Sequence, residues 1–277
     1  MDDIAGKEAL LLRGFENYLT AQNRSKNTIR SYTYAARQFF GRYSRITVFN
    51  LQSYKLYLLE HYKPRTVNLR INGMNRFLGY IGWTKERIRL IKIQRPVCLE
   101  HVISEGDYEY LKIRLLEDKQ YFYYFVIRLM AATGARISET VQFTANDIKN
   151  GFKSIYSKGN RVRRIYIPKL LQEDMMKWLR KTDRLSGDIF INSQGKRITA
   201  SGIRKQLKIM AARYHLDKHV MHPHSFRHRF AKSFVKGCDN ISLLSDLLGH
   251  GSLETTRIYL RRSSFEQKMI VNQVVDW

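Results

Sequence analysis

The sequence has few cysteines, few acidic residues and no long apolar run. Cys98 and Cys238 are too few for a disulfide framework or a cysteine zinc site. The most apolar run, residues 121–127, is stopped by Arg128, short of the roughly eighteen apolar residues of a membrane span. The beginning, MDDIAGKE, is acidic and does not resemble a secretion signal. We therefore expect reduced thiols, no membrane segment and a cytoplasmic location.

Acidic residues are outnumbered by basic ones. The chain has 24 Asp and Glu against 49 Lys and Arg, a formal net charge of +25. Such a charge favours a polyanionic partner, of which nucleic acid is the first candidate. Residues 1–95 carry +12 and residues 96–277 carry +13. Because both halves are basic, both are candidate contacts for DNA, which suggests a clamp and not a single basic tail.

The first 95 residues show helical periodicity throughout. Apolar residues recur at helical spacing over 7–22 and 29–40. Asn50 is a candidate cap for a third helix and Thr66 for a fourth. We therefore predict a small all-helical domain over residues 1–95. Around Pro96 the sequence becomes basic and loses its helical periodicity, which predicts a linker over residues 96–102.

The remainder, residues 103–277, predicts a mainly helical domain with a small β-sheet, an α+β class. Ser104 and Asp107 resemble a capping box that starts a helix. Gly134 ends the apolar helix that follows. Arg136 and Glu139 lie one helical turn apart just beyond it, so we expect both on one side of a new helix.

Alternating segments after that helix predict a hairpin. FKSIY and RVRRIYI flank residues 157–160, so Lys158 is expected at the tip. Residues 188–191 are a candidate further strand. The rest is predicted to be helical, over 168–182, 199–214, 225–236, 241–248, 252–260 and 265–275.

Several side chains suggest phosphate chemistry. His224 and Arg227 are three apart near a predicted helix start, where free N–H groups attract anions. Arg136 adds a second guanidinium, and two arginines clamp a phosphodiester well. Lys158 is either a backbone-contacting lysine or a proton donor to a leaving oxygen. Tyr259 becomes a nucleophile only if histidines and arginines help to remove its proton.

The histidines also allow a metal interpretation. Five histidines fall within fourteen residues: His215, His219, His222, His224 and His228. His215 and His219 are four apart, a spacing that zinc accepts on one helical face. There is no HExxH motif and no paired cysteine spacing, and Pro223 separates these histidines from His224. Zinc binding is therefore the weaker alternative, and we expect no metal and no cofactor.

Taken together, four motifs resemble the tyrosine recombinase (phage integrase) family. They are GARISE at 134–139, SKGN at 157–160, HPHSFRHRFA at 222–231 and LLGHGSLETTRIY at 247–259. The resemblance extends over the chain, because SKNTIRSYTYAARQFF and PRTVNLRINGMNRFLGYI look like the helical, SAM-like core-binding domain of that family. The chain resembles a short, Xer-like member without an added arm-site domain, which implies a two-domain, C-shaped clamp on double-stranded DNA with an integrase-type catalytic domain over residues 103–277.

The resemblance implies a role for each motif residue. Tyr259 would attack the scissile phosphate to form a 3′-phosphotyrosine and release a 5′-hydroxyl. Arg136 and Arg227 would bind the phosphate, which His224 would contact while assisting proton transfer. His250 would donate a hydrogen bond to a non-bridging oxygen. Lys158 would be the general acid for the leaving 5′-oxygen. Glu139 would orient the first arginine, Arg136.

The family also implies an assembly. We expect a homotetramer that exchanges strands between two duplexes through a Holliday junction at inverted-repeat core sites, and a directionality factor is a candidate further partner. Integration or excision of a mobile element and resolution of dimers all remain open. The carboxy-terminal segment, with Phe265, Met269, Ile270, Val274 and Trp277, would dock on a neighbouring protomer or pack on its own domain. A non-catalytic DNA-binding regulator and a relaxing topoisomerase are the rival functions.

Overall fold

The structure is a computed structural model that describes residues 2–93, 101–157, 161–238, 240–250, 252–260 and 271–275. The chain divides into two compact units, Met1–Arg95 and Pro96–Trp277. Residues 96–100 of the predicted linker lie outside the described residues. Within the described ranges, none of the helices combines the length and apolarity needed to cross a membrane.

The first unit is helical, as predicted. Its helices are α1 (Asp2–Ala21), α2 (Lys26–Phe40), α3 (Val48–His61) and α4 (Pro64–Tyr80). Their apolar faces enclose one core, in which the rings of Phe15 and Phe77 meet edge to face at 5.2 Å. Burial of this shared apolar surface is what holds the helices together.

Two predicted helix starts in this unit were wrong. The cap of α3 is Thr47, whose side chain accepts a hydrogen bond from the backbone N–H of Asn50, so Asn50 is the third residue of the helix and not its cap. The cap of α4 is Lys63, and Pro64 occupies the first turn, where the missing N–H of proline costs nothing. Thr66 is therefore inside α4.

The second unit is mainly helical with one small sheet, which confirms the predicted fold class. The first helices are α5 (Glu105–Glu117), α6 (Tyr121–Thr133), α7 (Ile137–Thr140) and α8 (Ala145–Asn150). Ser104 caps α5 and accepts a hydrogen bond from the N–H of Asp107, as predicted. Gly134 ends α6 in the left-handed conformation with φ +63°, also as predicted.

The predicted hairpin is present as β1 (Phe152–Ser157) and β2 (Arg161–Tyr166). The strands are antiparallel, with Phe152 opposite Tyr166 and Ser157 opposite Arg161. The further strand predicted at 188–191 is not formed: Asp188 and Ile191 each make an isolated bridge, with Thr144 and Arg197 respectively. Two single bridges to different partners do not extend into a ladder.

The remaining helices follow the predicted pattern, with shifted ends in all of them except α12. They are α9 (Lys169–Lys181), α10 (Ala200–Arg213), α11 (Pro223–Gly237), α12 (Ile241–Leu248) and α13 (Leu253–Thr256). The helix predicted over 252–260 changes type at its middle, because α13 tightens into a 3₁₀ helix, Arg257–Leu260. Of the segment predicted over 265–275, residues 265–270 lie outside the described residues.

The core of this unit forms around α6. This helix packs against α11 and α9, and the ring of its Phe125 stacks on Trp178 of α9 at 4.8 Å. A smaller buried cluster brings Ala231 of α11 and Leu244 and Leu248 of α12 against Tyr259. The 3₁₀ helix is thus packed onto the two helices that carry the predicted histidine and arginine motifs.

Candidate active site

The site begins where α6 ends. A Cβ at Gly134 would lie 2.5 Å from a ring carbon of Phe230, so glycine permits both the backbone turn and the close approach of α11. Arg136 follows as the cap of α7. Its backbone N–H donates to Oε2 of Glu139 at 2.7 Å, and its Nη1 donates to Oε1 at 3.0 Å. Both residues therefore share one side of the turn, as predicted.

A second arginine reaches the same carboxylate from the hairpin. Arg163 of β2 donates from Nη2 to Oε2 of Glu139 at 2.5 Å and from Nη1 to the carbonyl of Leu248. Glu139 is buried, and buried carboxylates require such partners. Burial lowers the pKa of Arg163 and the neighbouring Arg136 adds to this, while Glu139 opposes both.

The helix α11 supplies His224 and Arg227 in its first turns. His222 caps the helix, and its Nδ1 accepts a hydrogen bond from the N–H of Ser225 at 3.2 Å. The predicted start at Ser225 is thus two residues late, because Pro223 occupies the first helical position. His224 is exposed, yet the protein atoms around its ring partly desolvate it, and this desolvation, followed by the charge of Arg227, lowers its pKa.

Arg227 is almost fully buried, with 3% of its surface exposed. Its Nη1 donates to the carbonyl of Gly134 at 2.7 Å and its Nη2 to the carbonyl of Leu248 at 2.6 Å. Burial, with the nearby Arg136 next, lowers its pKa to about 10. The guanidinium remains charged at neutral pH in a position shielded from water.

The carboxyl end of α12 collects the three arginines. The Leu248 carbonyl accepts from Arg163 and Arg227, and the Gly249 carbonyl accepts from Nη2 of Arg136 at 3.0 Å. The last carbonyls of a helix lack partners within the helix and carry its partial negative charge. Guanidinium groups supply both the missing hydrogen-bond donors and a positive charge, so the end of α12 fixes the arginines relative to one another.

The two remaining predicted residues follow directly. Nδ1 of His250 lies 2.9 Å from the hydroxyl of the fully buried Thr256. The ring of Tyr259 lies nearly parallel to that of His250, with centroids 6.4 Å apart. Burial lowers the pKa of His250 to about 4, with the charge of Arg227 as the next cause. The imidazole is therefore neutral at pH 7.

Tyr259 itself is buried, with 7% of its surface exposed. Burial raises the pKa of its phenol, whereas the positive charges of Arg227 and Arg136 lower it. Its hydroxyl lies 2.9 Å from Nδ1 of His228, one helical turn after His224 on α11. Burial lowers the pKa of His228 to about 4, followed by the charges of His224 and His222.

The structure thus brings together Arg136, Glu139, His224, Arg227, His250 and Tyr259. Lys158 lies outside the described residues. The sequence interpretation gave no place in the phosphate site to Arg163 or to His228, which it considered only as one of the clustered histidines. Strand alternation in RVRRIYI and the four-residue step from His224 to His228 were the available signals, but neither identifies a partner.

The zinc alternative loses its geometric basis. The helix α10 ends at Arg213, and His215 has a positive φ of 54° beyond it, so His215 and His219 do not share a helical face. Among the described residues, no group of three or more His, Cys, Asp or Glu side chains is placed to hold a metal ion.

Comparison with known proteins identifies the family. Residues 108–265 match the phage integrase family. The chain belongs to the phage integrase family. The expected tyrosine recombinase is thereby confirmed, with site-specific recombination as its activity. Two relatives support this over nearly the whole chain.

The first relative is the tyrosine recombinase XerA of Pyrococcus furiosus, 28% identical over 95% of this chain and 93% of its own length. The second is a tyrosine recombinase of Agathobacter rectalis, 25% identical over 94% of each chain. Each alignment covers more than nine-tenths of both chains, so the similarity of this integrase-family chain to its relatives is not confined to residues 108–265.

Solved structures share the fold. The integrase of transposon Tn1549, in complex with transposon right-end DNA, superposes with a TM-score of 0.73 at 16% identity and covers 96% of this chain and 99% of its own. A lambda integrase tetramer bound to a Holliday junction gives a TM-score of 0.70 at 16% identity, over 92% of this chain and 79% of its own. At these identities the likeness concerns the fold.

Proposed function

We propose that this recombinase cuts and rejoins double-stranded DNA through a covalent 3′-phosphotyrosine at Tyr259. The observation that carries the proposal is the convergence of Arg136 and Arg227 on the end of α12, with Tyr259 on the segment that follows. Oη would attack phosphorus while the bond to the 5′-oxygen breaks. The phosphotyrosine bond keeps the energy for religation, so no metal or nucleotide is needed.

The arginines would bind the scissile phosphate. Each guanidinium has five N–H donors, and Arg136 and Arg227 each use their Nη atoms on carbonyls or Glu139, which leaves further N–H groups for phosphate oxygens. Because Arg227 is held in a water-poor position, its charge would act strongly on the pentacoordinate transition state. The exposed His224 at the start of α11 would add a contact to the phosphate.

His250 would donate a hydrogen bond to a non-bridging oxygen. A neutral imidazole carries one N–H; if Nδ1 accepts from the Thr256 hydroxyl, Nε2 carries the proton. Thr256 would therefore set the tautomer that the role requires. Lys158 would protonate the leaving 5′-oxygen, a role that rests on its motif alone, and Glu139 would orient Arg136.

The partners we propose are two DNA duplexes with inverted-repeat core sites, bound by a homotetramer. The net charge of +25, present in both units, supports extensive contact with the DNA backbone. Val271, Val274 and Val275 are exposed apolar residues near the carboxy terminus, which supports docking of that segment on a neighbouring protomer. A mobile-element role and a directionality factor are part of the same proposal.

A nicked suicide substrate tests the chemistry. It is built from inverted repeats in the DNA beside the gene, and the reaction is run with a chelator. We expect a covalent protein–DNA adduct with the intact chain and with Tyr110→Phe, an exposed tyrosine on α5. Tyr259→Phe should form none. An adduct with Tyr259→Phe would refute the nucleophile, and DNA binding without any adduct would favour a regulator.

A further inference from the structure

The hydroxyl of Tyr259 contacts His228, a histidine to which the family resemblance assigns no role. Nδ1 of His228 lies 2.9 Å from Oη, within hydrogen-bond distance. His228 comes from α11, the helix that also carries Arg227, and its side chain is half-buried. The base that the nucleophile needs must be within such reach of the phenolic proton.

The other two histidines of the site are placed differently. Nδ1 of His250 is engaged by Thr256, and its ring is stacked on that of Tyr259 and not directed edge-on at the hydroxyl. His224 lies in the first turn of α11, exposed, with its ring centroid 6.2 Å from that of His228. Geometry therefore singles out His228 for contact with Oη.

The charges around this pair keep the proton on the phenol. His224, His222, Arg227 and Lys232 all disfavour a proton on His228, in addition to burial, which lowers its pKa to about 4. Burial raises the pKa of Tyr259 despite the nearby arginines. The hydroxyl is then the donor and the unprotonated Nδ1 the acceptor, which is the arrangement required before proton transfer.

We propose that His228 is the general base for Tyr259, taking the phenolic proton on Nδ1 as Oη attacks phosphorus. The inference deepens the proposed function and rests on it. A lone pair of Oη forms the O–P bond, the P–O5′ bonding pair leaves with the 5′-oxygen, and that oxygen takes its proton from the general acid. In religation the general acid, now unprotonated, takes the proton of the 5′-hydroxyl as its oxygen attacks phosphorus, the P–Oη bonding pair leaves with Oη, and His228 returns the phenolic proton to Oη.

A bound phosphodiester assists this step. Its negative charge favours a protonated His228 and offsets part of the charge of Arg227, which disfavours that proton. The imidazolium is formed beside the phosphorane, which carries the extra negative charge. The same phosphate that is attacked therefore strengthens the base.

The test compares two substitutions at position 228 in single-turnover cleavage of the suicide substrate. Alanine removes the hydrogen bond, whereas the amide oxygen of asparagine can take the place of Nδ1 and accept it without taking up a proton. We expect His228→Ala and His228→Asn to be slowed alike, by about 10²- to 10⁴-fold. His219→Asn, at an exposed histidine of the same unit, should match the intact chain.

Two further measurements identify the missing step as proton removal. Added imidazole should accelerate His228→Ala, with a pH dependence that follows the free imidazole. A substrate with a sulfur in place of the bridging 5′-oxygen has a leaving group that needs no acid; it should rescue Lys158→Ala and leave His228→Ala slow. Thermal unfolding and DNA binding of each variant show whether the fold and the complex persist.

The outcomes separate this inference from the function on which it rests. If His228→Asn cleaves within about threefold of the intact chain, the histidine positions Tyr259 and is not its base. If His228→Ala cleaves faster, the contact restrains the nucleophile, which also overturns the inference. Absence of adduct from the intact chain would instead refute the proposed function.

Discussion

Nη2 of Arg163 lies 2.5 Å from Oε2 of Glu139, and this pair joins the hairpin to the turn that carries Arg136. Through Nη1, the same guanidinium reaches the carbonyl of Leu248. One side chain thus connects β2, α7 and the end of α12. Lys158, predicted at the tip between the two strands, lies outside the described residues, and its proposed role as general acid would depend on how this pair holds β2.

Replacing Arg163 by lysine should weaken both stability and cleavage. A single ammonium cannot span a carboxylate and a carbonyl in the way a planar guanidinium does. We expect a loss of about 2 kcal/mol in the free energy of unfolding and slower adduct formation. Arg164→Lys, on the exposed face of the same strand, should stay within about 0.5 kcal/mol in denaturant unfolding. Equal losses for both variants would contradict the role of Arg163.

Alanine at Gly249 should be more costly than alanine at another left-handed glycine. Gly249 has φ +62°, and a Cβ there would overlap Nη1 of Arg163 and lie 2.8 Å from Cδ of the same side chain. Gly195 has φ +72° with nothing within 4 Å. Gly195→Ala should therefore show only backbone strain, about 1 kcal/mol. Chemical denaturation should show a larger loss for Gly249→Ala, accompanied by slower cleavage; equal losses would argue against the clash.

Stability should fall as the pH drops below neutrality. The pKa values of His228 and His250 are lowered to about 4 in the folded chain, from about 6.5 when unfolded. The unfolded chain binds more protons between these values, so the stabilisation is complete above pH 6.5 and is lost as the pH falls toward 4.

Thermal melts across this range measure the effect. His228→Gln with His250→Gln should flatten the dependence on pH between about 4 and 6.5. His219→Gln, at an exposed position, should preserve it. An unchanged slope in the double variant would show that other groups cause the pH dependence.

Alanine at Ser225 should destabilise the second unit. The Ser225 hydroxyl is buried and accepts a hydrogen bond from the backbone N–H of Ile103 at 2.8 Å. Removing it leaves that N–H without its acceptor, at a cost of about 1–3 kcal/mol. Ser233→Ala, exposed on the same helix, should change the free energy of unfolding by no more than about 0.5 kcal/mol. Similar values for the two variants would refute the importance of this contact.

The sequence predicted elements well where a local signal exists. The periodicity of 241–248 returned α12 with its observed bounds, and Ser104 and Gly134 marked a helix start and a helix end. Caps failed where a competing residue lay nearby. Thr47 outcompetes Asn50, and Pro64 places the start of α4 ahead of Thr66, because capping requires a backbone geometry that composition does not reveal.

The candidate site was predictable as far as its motifs reach. Arg136 and Glu139 share a turn, so their contact follows from spacing alone. The contacts of Arg163 and His228 span 24 and 31 residues, and they depend on how β2 and the 3₁₀ helix pack onto other elements. The role of the Leu248 carbonyl as a shared acceptor could not have been predicted, because every residue has a backbone carbonyl and the residue type does not show which one accepts.

Because Arg163 and Arg227 share the Leu248 carbonyl, the arginines of the site depend on the position of the same few backbone atoms. An enzyme that cuts DNA can leave unrepaired breaks if it stays partly active while incompletely folded. Here Arg163 and Arg227 bind one backbone oxygen, and Arg136 binds the next. A shift of residues 248–249 would disturb all three guanidiniums at once, so we expect a protomer in which the end of α12 is displaced to lose its proposed phosphate-binding site as a whole and not in part.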